Sequence, residues 1–147
     1  MDLSKYASEL PYPEIEVEKN VAESKLLMPV YSGSSGELTA VLTYCFQLYI
    51  TPKYPDIQEA LEGIAVTEMR HHELLGKTIY KLGGYPIMGA RTYWNGSFVN
   101  YTLDPKRYLR ENILAEHADF QQLRLVRDNS PERITNNFPV PLLGFEN

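Results

Sequence analysis

Two connecting segments of very different length constrain this chain more than any other feature. Breakers divide the sequence into three long helical stretches. The first, "ELTAVLTYCFQLYI", runs from about Glu37 to Ile50 and stops before Thr51-Pro52. Upstream, a stretch that could begin near Ala22 is kinked or interrupted by Pro29, Gly33 and Gly36. The second runs from about Pro55 to Leu82, with Pro55 and Asp56 suited to a first turn and Gly83-Gly84 as a stop. The third opens with Asp104 as N-cap and Pro105 at the first helical position, and reaches about Arg127. Only "TPKY" separates the first stretch from the second. The second and third are separated by "GGYPIMGARTYWNGSFVNYTL", 21 residues.

A short link makes the first two helices an antiparallel pair. A connection of 21 residues is uncommon inside a compact domain and needs a reason. The second helix is about 40 Å long at ~1.5 Å per residue. A third helix parallel to it requires the chain to travel back along that whole length, which extended residues at roughly 3.3 Å each can do. A short link followed by a long crossover is the connectivity of a ferritin-like, all-α, up-down bundle. The expected organisation is one domain over 1–147. An N-terminal extension fills 1–35, the main helices 36–50, 55–82 and 104–127, the crossover 83–103, and an irregular tail 128–147.

Composition fits that picture. The chain has 147 residues, enough for one domain with a real core. Its 44% hydrophobic and 22% charged content are those of a soluble globular protein. A net charge of -5 with no long basic run argues against nucleic acid or an anionic membrane as partner. No signal-peptide core and no stretch approaching ~18 apolar residues is visible, so a cytoplasmic protein is expected. Cys45 stands alone, which leaves no internal disulfide and no cysteine-based metal cluster.

The helices carry charge where apolar residues belong. Read in alternating steps of four and three, the second gives Ile57, Leu61, Ile64, Glu68, His71, Leu75, Thr78 and Leu82. Glu68 and His71, three residues apart, share one face in the middle of that seam. The third helix gives Leu109, Ile113, Glu116, Phe120 and Leu123, and the first gives Glu37, Val41, Tyr44 and Leu48. Glu37 and Glu68 also lie equally far from the turn near residues 52 and 53, so an antiparallel hairpin sets them at one height. Burying one unpaired carboxylate costs several kcal/mol. Carboxylates gathered with an imidazole are stable in an interior when a divalent cation neutralises them. A Glu-x-x-His helix with facing glutamates is the ligand set of carboxylate-bridged di-iron and di-manganese proteins.

Ordinary readings stand beside this one. Glu37 closes Ser34-x-x-Glu37, a capping-box pattern. Glu116 could lie at the seam's edge and reach water, and Glu68 with His71 could form a solvated face beside Arg70 and Glu73. Tyr44 reads as core, with its hydroxyl within possible reach of the site. His72 and His117 read as residues flanking the ligands. Tyr93, Trp94 and Tyr101 read as anchors of the crossover.

The stretches "GELTAVLTYCFQLYI", "IAVTEMRHHELLGKTIYKLGGYPIM", the Tyr93-Trp94 crossover and "LRENILAEHADFQQ" resemble the ferritin-like superfamily. Within it, the chain is similar to a clostridial branch close to manganese catalases and rubrerythrins. The resemblance covers most of residues 30 to 127. It implies Glu37 as the first-helix ligand, Glu68 and His71 as the second-helix pair with Glu68 bridging, and Glu116 as the third-helix ligand. It also implies iron or manganese, and peroxide or oxygen as the oxidant acted on.

The tail departs from that family's pattern. A second Glu-x-x-His on a long fourth helix is expected, but the chain reads "DNSPERITNNFPVPLLGFEN", with Pro139 and Pro141. Glu132 is followed three residues on by Thr135, and Glu146 stands one residue from the end. The second ion therefore lacks its fourth-helix ligands. One ion, none, or a site completed by a neighbouring subunit are the outcomes this allows. Three helices leave an apolar groove, which predicts a homodimer. With no Cys-x-x-Cys pair for a rubredoxin-type iron domain, peroxide disproportionation or a bare oxidase fits better than a full rubrerythrin. A non-enzymatic structural or storage subunit with a vestigial metal site is the alternative.

Overall fold

The computed structural model describes Lys5 and residues 15–129, without the side chains of Phe120 and Arg127. Four helices follow in order: α1 (Val21–Ser32), α2 (Glu37–Tyr49), α3 (Pro55–Lys81) and α4 (Pro105–Asn129). A single 3-10 turn lies in the crossover at Gly96–Phe98. Among the described residues no helix is long and apolar enough to cross a membrane.

The predicted boundaries have identifiable local causes. Pro55 occupies the first turn of α3. At the other end Gly83 adopts φ 96°, a left-handed conformation that favours glycine. The Gly83 and Gly84 N–H groups donate to the carbonyls of Tyr80 and Ile79 at 3.0 Å each, closing α3 with a Schellman motif. Asp104 caps α4, its carboxylate accepting from the Arg107 N–H at 2.9 Å.

The upstream stretch is a separate helix. α1 ends where the Gly33 N–H donates back to the Pro29 carbonyl, and α2 begins again at Glu37. The two glycines between them are required by close approach. A Cβ on Gly33 would lie 2.5 Å from the Pro29 carbonyl oxygen, and one on Gly36 2.7 Å from the carbonyl oxygens of Pro29 and Val30. Together α1 and α2 form one interrupted rod antiparallel to α3. The pairings run in reverse order along it: the Asn20 N–H donates to the Leu82 carbonyl, Tyr31 packs on Gly76, Glu37 meets Glu68, and Tyr44 clusters with Leu61 and Ala65.

α4 runs antiparallel to α2 and hence parallel to α3, as the long crossover requires. Side-chain pairs fix the direction. Thr51 and Tyr108 hydroxyls meet at 2.5 Å, Gln47 and Asn112 exchange two amide hydrogen bonds at 2.9 and 2.7 Å, and the Tyr44 hydroxyl donates to Glu116. Two apolar clusters lie at the ends of the bundle. One joins Leu27, Val30, Tyr31, Leu75, Ile79 and Leu82, with Leu123 and Val126 packed against it. The other joins Tyr44, Leu61, Ala65 and Tyr108. Glu37, Glu68 and His71 lie between them along the helices.

The crossover follows α2. The Trp94 indole N–H donates to Thr39 Oγ1 at 2.9 Å, and Tyr101 sets its ring edgewise on Phe46. Tyr93, expected as a further anchor, is 79% exposed and does not serve as one. A second correction concerns α4. Ile113, expected in the inner seam, is 60% exposed, whereas Tyr108 and Asn112 are buried. The inward face of α4 keeps Leu109, Glu116 and Leu123 of the expected seam but carries Asn112 in place of Ile113. Asp128 and Asn129, expected to open the irregular tail, close α4 instead; the remainder of the expected tail lies outside the described residues.

Candidate metal centre

Glu37, Glu68 and His71 meet in the bundle interior. One ligand atom from each lies within 4.8 Å of the other two, and the residues are 7%, 7% and 3% exposed. Arg70 and Glu73, their neighbours on α3, are exposed, so the solvated-face reading of Glu68 and His71 does not hold. Nor does the capping-box reading of Glu37. The N-cap of α2 is Gly36, with no side-chain cap, and Ser34 lies outside the helix. Glu37 is instead the first residue of α2, where the partial positive charge of the helix terminus favours a carboxylate.

The electrostatics are those of acids crowded in a dry space. Burial, then the charge of Glu68, push the Glu37 carboxyl well above the usual carboxylate range, and it donates a hydrogen bond to Glu68. Burial opposes ionisation of Glu68 as well. Hydrogen bonds from Glu37 and His71, with the charge of His71, outweigh that and hold Glu68 low. His71 Nδ1 lies 3.1 Å from Glu68 Oε2. The cluster thus keeps protons where a cation would otherwise sit. Carboxylate oxygens and an imidazole nitrogen are donors suited to manganese or iron(II), and three of them already converge. The residues fit a divalent metal.

α4 adds two more acids. Glu116 accepts a 2.5 Å hydrogen bond from the Tyr44 hydroxyl; burial and the charge of Glu68 push it up to about 7. The Tyr44 hydroxyl is itself raised by burial and by Glu116. Asp119 is pushed up to about 7 by burial and then by the charges of Glu116 and Glu68. Glu116 and Asp119 both line an open cavity of about 220 Å³ between α2 and α4, beneath Phe98 and Asn100 of the crossover. Asp119 has no place in the sequence-based ligand set. The signal that could have found it is its spacing, three residues beyond Glu116.

The remaining candidates lie off the cluster. His72 stacks on Tyr31 with ring centroids 4.3 Å apart, and its Nε2 is 3.3 Å from Ser32 Oγ; burial lowers its pKa. His117 is exposed. Tyr44 belongs both to the core, at 5% exposure, and to the site through Glu116.

An all-helical bundle with a short hairpin, a long crossover and buried carboxylates beside an imidazole defines a ferritin-like protein with a site able to hold metal. The chain belongs to the family of manganese-containing catalases, whose sequence pattern matches residues 5–87. That match contains Glu37, Glu68 and His71 and ends before α4. Solved structures agree in fold. KatB, a manganese catalase from Anabaena, is 25% identical with a TM-score of 0.77, covering 95% of this chain and 73% of that one. A second KatB structure, from Anabaena PCC7120, is 23% identical with a TM-score of 0.72, covering 89% and 71%. No curated protein matches the chain.

Proposed function

We propose that this chain, as a single domain over 1–147, binds manganese through Glu37, Glu68, His71 and Glu116 and that the loaded protein decomposes hydrogen peroxide. The observation that carries the reading is the convergence of three buried donor atoms within 4.8 Å, from two helices, in a chain of the manganese catalase family. Manganese, when bound, supplies the reversible redox change by which one peroxide is oxidised to dioxygen and another reduced to water. The protein's own residues supply the rest. Glu68 and His71 hold the ion from α3 and Glu37 from α2. Glu116 joins them from α4, and the Tyr44 hydroxyl, donating to its carboxylate, fixes its orientation.

Iron satisfies the same donors, and molecular oxygen is then the alternative oxidant. We further propose a homodimer. Met69 on α3 and Ile113, Leu114 and Leu125 on α4 are 63%, 60%, 69% and 63% exposed. A second copy covering them would remove that apolar surface from water. A lone thiol such as Cys45 fits the reducing cytoplasm, where we place the protein.

Peroxide consumption by the manganese-loaded protein is the test. Glu68→Ala is expected to remove both metal and activity. A second reading, a non-enzymatic structural or storage subunit with a vestigial site, is favoured by the convergence of only three donors, all from α2 and α3, among the described residues. It requires a protein that purifies metal-free, and a Glu68→Leu variant that is more stable because a buried carboxylate is gone.

A further inference from the structure

The open cavity between α2 and α4 is larger than hydrogen peroxide needs. Its volume is about 220 Å³, whereas a water molecule takes up roughly 30 Å³ and an apolar cavity of about 150 Å³ accepts benzene. Local sequence makes the space. Gly36 and Ala40 on α2 and Ala115 and Ala118 on α4 line it with little or no side chain, and the half-buried Phe98 lines it from the crossover. The crossover is fastened there. Asn100 donates through its N–H to Thr43 Oγ1 at 3.3 Å and through its side-chain amide to Glu111 at 2.7 Å, and Phe98 meets Trp94 edgewise.

The cavity also reaches the acids. Glu116 and Asp119 line it half-buried, and the charge of buried Glu68 acts on both. Gly36, another lining residue, is the chain neighbour of Glu37. One enclosure thus offers carboxylates beside the metal-binding cluster and apolar surface from alanine and phenylalanine. Those are the two requirements of an alkyl hydroperoxide: hydrocarbon to remove from water, and an O–H that donates to a carboxylate.

We infer that this cavity admits a small organic hydroperoxide, its alkyl group against Phe98 and the alanines and its peroxide group at Glu116 and Asp119, so that the protein reduces alkyl hydroperoxides as well as hydrogen peroxide. The inference rests on the peroxide-decomposing reading above and names a further substrate class for the same site. The reaction balances with hydrogen peroxide as the reductant. The O–O bond of the organic peroxide breaks, taking up two electrons and two protons to give an alcohol and water. Hydrogen peroxide gives up two electrons and two protons and leaves as dioxygen.

The experiment supplies tert-butyl hydroperoxide together with hydrogen peroxide to the manganese-loaded full chain, with manganese(II) salt alone as background, and measures tert-butanol by proton magnetic resonance. tert-Butanol is expected to accumulate over many turnovers. Ala118→Leu narrows the cavity and is expected to lower the rate on tert-butyl hydroperoxide, relative to hydrogen peroxide, by about tenfold, with bound manganese unchanged by elemental analysis. Phe98→Ala widens it and is expected to raise the rate on the bulkier cumene hydroperoxide relative to the tert-butyl compound. Binding has its own readout in the metal-free protein. Saturation transfer to the methyl protons of tert-butanol is expected in the wild type and lost in Ala118→Leu, with thermal melts checking that each is folded. A wild type that decomposes hydrogen peroxide yet forms no tert-butanol overturns this inference and leaves the reading above standing. Relative rates that neither substitution moves overturn the part assigned to the cavity. A protein that binds no manganese or consumes no hydrogen peroxide overturns that reading, and this inference with it.

Discussion

Glu37, Glu116 and Asp119 share one property: each holds its proton in the folded protein to a higher pH than in an unfolded chain. Burial is the first cause in all three cases, and neighbouring carboxylates add to it. The sign of the pH dependence follows. Below the unfolded carboxyl range of about 4 both states are protonated, and the stability associated with these groups is fully present. As pH rises toward about 7 the unfolded chain has released protons that the folded protein still holds, so stability falls. Glu68, held low, acts in the opposite sense and only at acid pH. Melting temperature of the metal-stripped protein should therefore decrease between about pH 5 and pH 8, and added manganese should remove most of that decrease by replacing the protons. A stripped protein whose melting temperature climbs over that interval would contradict this electrostatic account. Tyr44 offers a separate check. Tyr44→Phe deletes the hydrogen bond to half-buried Glu116, and urea denaturation should show a loss of about 1–3 kcal/mol.

The helices show which parts of the sequence pattern could be read and which could not. On α3 the alternating seam was legible because Leu61, Leu75 and Leu82 bracket Glu68 and His71 with unambiguous apolar residues, and all five are buried. On α4 the apolar pattern points to Ile113, although the buried position is Asn112. Hydropathy could not reveal this, because Asn112 is buried through its reciprocal amide pair with Gln47, a partner far away in sequence. The same slip hid Asp119, which lies on the face shared by Asn112, Glu116 and Leu123. Asn112→Ala would leave Gln47 without its partner and should cost about 1–3 kcal/mol in the same denaturation measurement. The break between α1 and α2 carries its own prediction. Gly36→Ala forces a methyl group against the carbonyl oxygens of Pro29 and Val30. Destabilisation of about 1–3 kcal/mol is expected, together with weaker manganese binding, because Glu37 is the next residue. Unchanged metal affinity in that variant would show that the break does not position Glu37.

For the whole molecule, connection lengths were the most informative part of the sequence. Five residues between α2 and α3 and a long return before α4 leave few ways to arrange the rods, and the antiparallel and parallel pairings observed are the ones they imply. Association with a second copy belongs to this scale as well. Light scattering at micromolar concentration should show a dimer that covers the exposed α4 residues Ile113, Leu114 and Leu125, and a monodisperse monomer would remove that part of the account. The central claim is narrower: acids from separate helices are held together in the interior by a cation. Anomalous diffraction from crystals of the manganese-loaded protein, recorded on both sides of the manganese absorption edge, tests it most directly. The account predicts a peak among the side chains of Glu37, Glu68 and His71. Crystals with no anomalous density there, and with those side chains joined only to each other through shared protons, would contradict it.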